Sequence, residues 1–166
     1  MKELIESEQR ATAGKREAAI AAAREIMSLQ KYCALITVDS SGQPHARTMN
    51  PFPPEADMTV WIATNSRCRK VREIQNHSQV SLYYADHNEA SGYVVLTGKA
   101  VLVDEMSEKL KRKRDYWDQS FPDWKYLVLI KVIPEKLEVL NYKRDLLNDE
   151  VTWQIPAFEL IHPEVT

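Results

Sequence analysis

Four cations, Arg67, Arg69, Lys70 and Arg72, crowd the short stretch TNSRCRKVREI. The stretch reads as the end of a strand running into a helix, so the cations fall in the helix's first two turns. A helix N-terminus already carries the positive end of its dipole and several N–H groups without intrahelical partners. Each cation there costs a few tenths of a kcal/mol, unless an anion reverses the sign. Around these cations stand the hydroxyl of Thr64 and a capping side chain, Asn65. Arg47 lies on a neighbouring strand whose antiparallel pairing would bring it toward the same end. A guanidinium, an ammonium, a hydroxyl and free helix N–H groups together form the donor set that holds a phosphate. The competing reading is a solvated basic face with nothing bound.

The elements that must position these groups are legible from periodicity. Residues 1 to about 30 read as helix, with Ile20, Ala23 and Met27 on one face. YCALITV is a buried-strand run, DSSG a turn, and QPHARTMNPF a second strand. Alternation puts His45, Arg47 and Met49 on one face of that strand and Ala46, Thr48 and Asn50 on the other. MTVWIAT leads into the basic helix, on which Cys68, Val71 and Ile74 make an apolar stripe. QVSLYYAD and GYVVLTGKAVLVD are further strands, the latter with Gly98 placed for a bulge. SEKLKRKRDYWDQSF reads as a helix capped by Ser107. YLVLIKVIP and KLEVLNYK supply two more strands, and the tail from Leu146 has little pattern. Six or seven strands joined mostly by short turns predict a mainly β fold, a small antiparallel barrel with peripheral helices, in one domain spanning 1–166.

Composition narrows the function classes. The 166 residues carry 22 cations against 24 acids, a net charge of −2. No global field draws the chain to nucleic acid or to an anionic membrane, so any basic site is local. The KRKR run at 111–114 reads as a solvated face. Two cysteines give no disulfide scaffold, and four scattered histidines offer no zinc spacing. Cys68 is expected to be a packed thiol and His45 a surface imidazole. Trp117, Trp124 and Trp153 are expected to pack in the interior. The N-terminus MKELIESEQR is too charged for a secretory core, and no apolar run is long enough to span a bilayer, so a cytoplasmic setting is expected.

GQPHARTMNPF followed by VWIATNSRCRKVREI resembles the FMN-binding split barrels related to pyridoxamine 5′-phosphate oxidase, in particular the general-stress-protein branch. The resemblance covers about residues 25 to 140. It implies a six- or seven-stranded antiparallel split barrel, FMN as cofactor, and a homodimer with flavin at the subunit interface. It also implies roles: Arg47, Arg69 and Lys70 on the FMN phosphate, Thr64 and Asn65 at the strand end, and Thr48 and Met49 along the flavin edge. Cys68 stands where the oxidase has serine, and Ser66 is the substitute hydroxyl. Phe52 stands where the oxidase has a lysine for its substrate's phosphate, and the tail lacks the oxidase's arginine-rich substrate segment. Vitamin B6 oxidation is therefore disfavoured.

The implied function is an FMN-dependent oxidoreductase moving hydride or electrons between NAD(P)H and a small-molecule acceptor. The alternatives are a flavin-storing or stress-sensing module without turnover and, third, a haem-binding split barrel. No catalytic residue is assigned, since no nucleophile–base pair stands at motif spacing and a flavin carries its own redox chemistry.

Overall fold

The computed structural model describes residues 2–160 and 162, with side chains from Ser7 onward. Seven strands form one antiparallel sheet: β1 (Cys33–Val38), β2 (Pro44–Met49), β3 (Val60–Asn65), β4 (Gln79–Ala85), β5 (Gly92–Val103), β6 (Leu127–Asn141) and β7 (Ala157–Glu159). The order β2-β1-β4-β5-β6-β3, with β7 added beside β6, places β2 and β3 at opposite ends of the strand path. The sheet curls into the expected split barrel. Two expectations need correction. The sequences YLVLIKVIP and KLEVLNYK are one continuous strand, β6, because Pro134 falls at a bulge where its missing N–H leaves no gap in the ladder. The tail, which shows no pattern, nonetheless supplies β7, paired through Phe158 and Leu137. Residues 161 and 163–166 lie outside the described residues.

The bulge lies between Thr97 and Gly98, as the glycine indicates. A Cβ on Gly98 would stand 2.1 Å from the Ile133 carbonyl oxygen, so only glycine lets β5 cross β6 this closely. On β1, Cys33, Leu35 and Thr37 face the interior, fully or nearly fully buried. Register pairs them with Met49, Arg47 and His45, so the inner face of β2 carries the three residues that alternation puts together.

Helix α1 (Lys2–Leu29) covers the barrel with Ala19, Ala23, Ile26 and Met27, all buried. Ile20, expected in that stripe, packs only partly against it. The alanines let the helix approach β4, β5 and β6 closely. Helix α2 (Arg69–Asn76) packs on β1 and β5 through Val71 and Ile74. Helix α3 (Met106–Lys111) begins after Glu105 rather than at Ser107, and it ends before the basic run is complete. Helix α4 (Trp117–Ser120) follows.

The segment carrying α3 and α4 covers the outer face of β3, which explains why that strand is buried on both sides. Trp117 is fully buried there, with ring contacts to Phe52, Phe121 and Trp124 at centroid distances of 6.1 Å. The basic run is a solvated face only in part, with Lys111 and Lys113 exposed and the two arginines turned onto aromatic rings. Arg112 lies 3.6 Å over the Trp61 ring and Arg114 lies 4.0 Å over Phe52, so these guanidiniums serve as stacking surface. Trp153, expected to pack, is exposed.

The β4–β5 connection is tied by Asp86. Its carboxylate accepts from the Ser91 hydroxyl and from the N–H groups of Asn88, Glu89 and Ser91. Those bonds, the Ser91 hydroxyl foremost, hold its carboxyl down to about 2.

Candidate phosphate site at the start of helix α2

The basic stretch folds as strand, tight turn and helix. Asn65 does not cap the helix. Its Oδ1 accepts from the Arg67 N–H at 2.9 Å and its carbonyl accepts from the Cys68 N–H, which shapes the turn ahead of α2. The capping position belongs to Cys68, which makes no side-chain capping bond. The Ser66 N–H donates to the Tyr126 carbonyl at 2.7 Å, while its hydroxyl makes no hydrogen bond among the described residues. Arg67 precedes the helix and lies 3.7 Å over the Tyr126 ring. Arg72 is exposed on the helix's far side. Of the four cations, only Arg69 and Lys70 belong to the opening turn.

Lys70 leans back over the turn. Its Nζ donates to Thr64 Oγ1 and to Cys68 Sγ, each at 3.2 Å, and Thr64 Oγ1 stands 3.5 Å from that sulfur. Cys68 is thus half-buried in a polar setting, where a packed thiol was expected. Burial acts to raise its pKa, but the Thr64 hydroxyl and the Lys70 ammonium outweigh it and hold the thiol below its ordinary value.

Arg47 reaches the same helix through a residue that periodicity does not single out. Arg47 Nη2 donates to Glu73 Oε2 at 2.9 Å, and Arg69 Nε lies 2.9 Å from Glu73 Oε1. The Thr37 hydroxyl donates to Glu73 Oε2 as well. Only 4% of the Glu73 side chain is exposed. Burial opposes its ionisation, yet the Thr37 hydroxyl and the Arg47 guanidinium more than compensate and keep its carboxyl below the usual range. Two signals for this cluster exist in the sequence. Arg69 and Glu73 have i,i+4 spacing on α2, and Thr37 interrupts the apolar inward positions of β1.

The structure therefore groups these residues in two clusters along α2: Lys70 with Thr64 and Cys68 ahead of the helix, and Arg47 and Arg69 on Glu73 one turn in. Thr48 and Met49 diverge. Met49 packs on the core from the inner face, while Thr48 lies outward beside Tyr32, Ala34 and Tyr83 in a groove of about 510 Å³. Beyond Met49, the chain lines a separate cavity of about 430 Å³ with Asn50, Phe52, Met27, Tyr84 and Arg114. Phe52 itself is walled in, edge-on to Trp117 and beneath Arg114. His45 is tied to Asp39 at 2.9 Å rather than free at the surface. Among the described residues no cluster of histidine, cysteine and carboxylate could hold a metal ion, and no helix is long and apolar enough to cross a membrane.

A curled antiparallel sheet of seven strands with few helices defines a split barrel. The family model for pyridoxamine 5′-phosphate oxidase matches residues 19–141, and the chain belongs to that family. Among solved structures, general stress protein 26 from Bacillus anthracis str. Sterne is similar at 22% identity, with 72% of this chain and 92% of that chain covered and a TM-score of 0.62. A general stress protein 26-related protein from Clostridium acetobutylicum is similar at 16% identity, covering 86% and 94%, with a TM-score of 0.69. A heme binding protein from Mycobacterium smegmatis is similar at 12% identity, covering 85% of this chain and 57% of that chain, with a TM-score of 0.63. Comparison with curated proteins gave no match. At these identities the likeness concerns the fold.

Proposed function

We propose that this chain is an FMN-binding flavoprotein, acting as an oxidoreductase between NAD(P)H and a small acceptor. The observation that carries the reading is the basic opening of α2, where Lys70 bonds Thr64 and Arg69 shares Glu73 with the strand residue Arg47. The donor set fits a phosphate monoester: two guanidiniums, an ammonium, a hydroxyl, and the first N–H groups of α2, which have no intrahelical partners. Asn65 and Ser66 hold the turn that presents it. FMN would supply hydride or electron transfer, while this chain's residues would bind and orient it. The acceptor's place is the cavity beyond Met49, where Phe52 in its aromatic wall supports a substrate other than a vitamin B6 phosphate.

The barrel interior is filled by fully buried Leu35, Ile62, Leu82, Leu96 and Ile130, which leaves no room for a tricyclic ring. The ring must lie outside the barrel, and a second copy of the chain is the natural cover. The outward face beside Thr48, with Ile36, Tyr83 and Tyr93 only half-buried, offers the surface for that contact. FMN-loaded protein is expected to run as a dimer by light scattering. A monomer that retains its flavin would reject the shared site.

The phosphate reading is tested by comparing FMN with riboflavin, which lacks that group. Lys70→Ala removes a charge-assisted contact worth about 1.5–3 kcal/mol, so FMN should weaken roughly ten- to a hundredfold and riboflavin should not. Arg72→Ala, on the exposed side of α2, should leave both unchanged. Equal FMN affinity in wild type and Lys70→Ala would return the cations to a solvated face. Turnover is a separate matter: failure of either nicotinamide to reduce the bound flavin would favour a storage or sensing module. The absorption spectrum of the purified protein separates flavin, with a band near ~450 nm, from haem, with a Soret band near ~400 nm.

A further inference from the structure

We infer that Glu73 is a positioning residue of this site, the carboxylate that aims Arg47 and Arg69 together at a phosphate group. The inference rests on the FMN reading and adds to it an anion where a phosphate site would be expected to carry only cations. Glu73 sits one turn into α2 with its carboxylate almost wholly withdrawn from water, and three side chains from three elements meet on it. Arg47 comes from β2, Thr37 from β1 and Arg69 from α2 itself. An arginine side chain has several rotatable bonds and loses much freedom when fixed. Bonding Arg47 to a buried carboxylate, and drawing Arg69 to it by charge, meets part of that cost before any ligand arrives.

The anchoring leaves donors over. Arg47 spends Nη1 and Nη2 on Thr37 and Glu73, but Nε makes no hydrogen bond among the described residues. Arg69 Nε is ion-paired with Glu73 Oε1 at 2.9 Å, and none of the Arg69 side-chain nitrogens makes a hydrogen bond among the described residues. One carboxylate between two guanidiniums leaves that trio at +1. With Lys70 the site totals +2, which matches the two charges of a phosphate monoester near neutral pH. Without Glu73 the two guanidiniums, held near one another, would repel and separate.

Glu73→Gln keeps the shape, removes the charge and points an amide N–H₂ at a cation. FMN is expected to weaken about tenfold in this variant, with riboflavin affinity unchanged, so the FMN-to-riboflavin ratio falls. Thr37→Val, which removes one bond to the same carboxylate, should lower the ratio less, and it serves alone if Glu73→Gln fails to fold. A purely structural role would weaken both ligands in parallel and overturn the inference. So would unchanged or tighter FMN binding, since the carboxylate would then be a competitor for the arginines. If the wild-type protein shows no preference for FMN over riboflavin, the phosphate reading fails first and this inference falls with it.

Discussion

Arg47→Ala is expected to damage the protein twice, whereas Lys70→Ala damages it once. FMN should weaken roughly ten- to a hundredfold in either variant, through loss of a charge-assisted contact. The ligand-free proteins should differ. Lys70 bonds to Thr64 and Cys68 near the surface, and its removal lifts one cation from a helix N-terminus, so stability stays level or rises slightly. Arg47 neutralises a carboxylate that is almost fully buried. Taking one partner from a buried ion pair costs about 3–5 kcal/mol, and the loss here should sit near the lower figure because Arg69 remains beside Glu73. Urea unfolding of the ligand-free variants measures the difference directly. Coincident midpoints for wild type and Arg47→Ala would show that Glu73 does not depend on its strand partner. The pH response has a defined sign. A carboxyl held below its ordinary value stabilises the fold above its unfolded pKa, and that contribution is lost as pH falls through the folded value. Arg47→Ala should therefore lose part of the wild type's acid sensitivity as well as its stability.

Gly98→Ala should be strongly disruptive for a single methyl in the sheet. The added carbon would lie 2.1 Å from the Ile133 carbonyl oxygen and 2.6 Å from Pro134 Cα, both backbone atoms that cannot swing aside as a side chain tip can. Relief requires β5 and β6 to part at the bulge, where the two longest strands of the sheet cross. Overpacking in a tight interior costs about 1–3 kcal/mol, and a clash with the β6 backbone should reach the upper end or pass it. Thermal unfolding with FMN absent isolates the effect from ligand binding. A Tm within a degree of wild type would mean that the bulge relaxes without cost.

The barrel was legible in the sequence because alternation and short turns constrain it locally. β1 and β2 show their inward and outward residues in order, and Gly98 marks its own bulge. β6 was harder to read as one strand, because Pro134 normally ends a run and only its pairing with the β5 bulge makes it tolerable. β7 has no periodicity of its own, since three residues beside an existing edge need none. In the candidate site, type and spacing single out Arg47, Thr64, Arg69 and Lys70. Glu73 was not, because a glutamate amid basic residues on a helix reads as an ordinary surface partner. Its burial depends on Thr37 and Arg47, which come from strands far away in the chain. The stacking of Arg112 and Arg114 was hidden for the same reason: their aromatic partners, Trp61 and Phe52, precede them by a long stretch of sequence.

The place of β3 at the end of the strand path has a consequence for how the chain is made. β1 pairs with β2, and β4 with β5, within hairpin distance, but Val60–Asn65 finds its partner only in residues 127–132. At synthesis rates of about 5–20 residues per second, β3 leaves the ribosome seconds before that partner exists. Over that interval Val60, Trp61 and Ile62 are bare, apolar and unpaired along both edges. A nascent chain in this state suits a chaperone that grips short extended apolar segments, and sheet closure at β3 becomes a late, non-local step in folding.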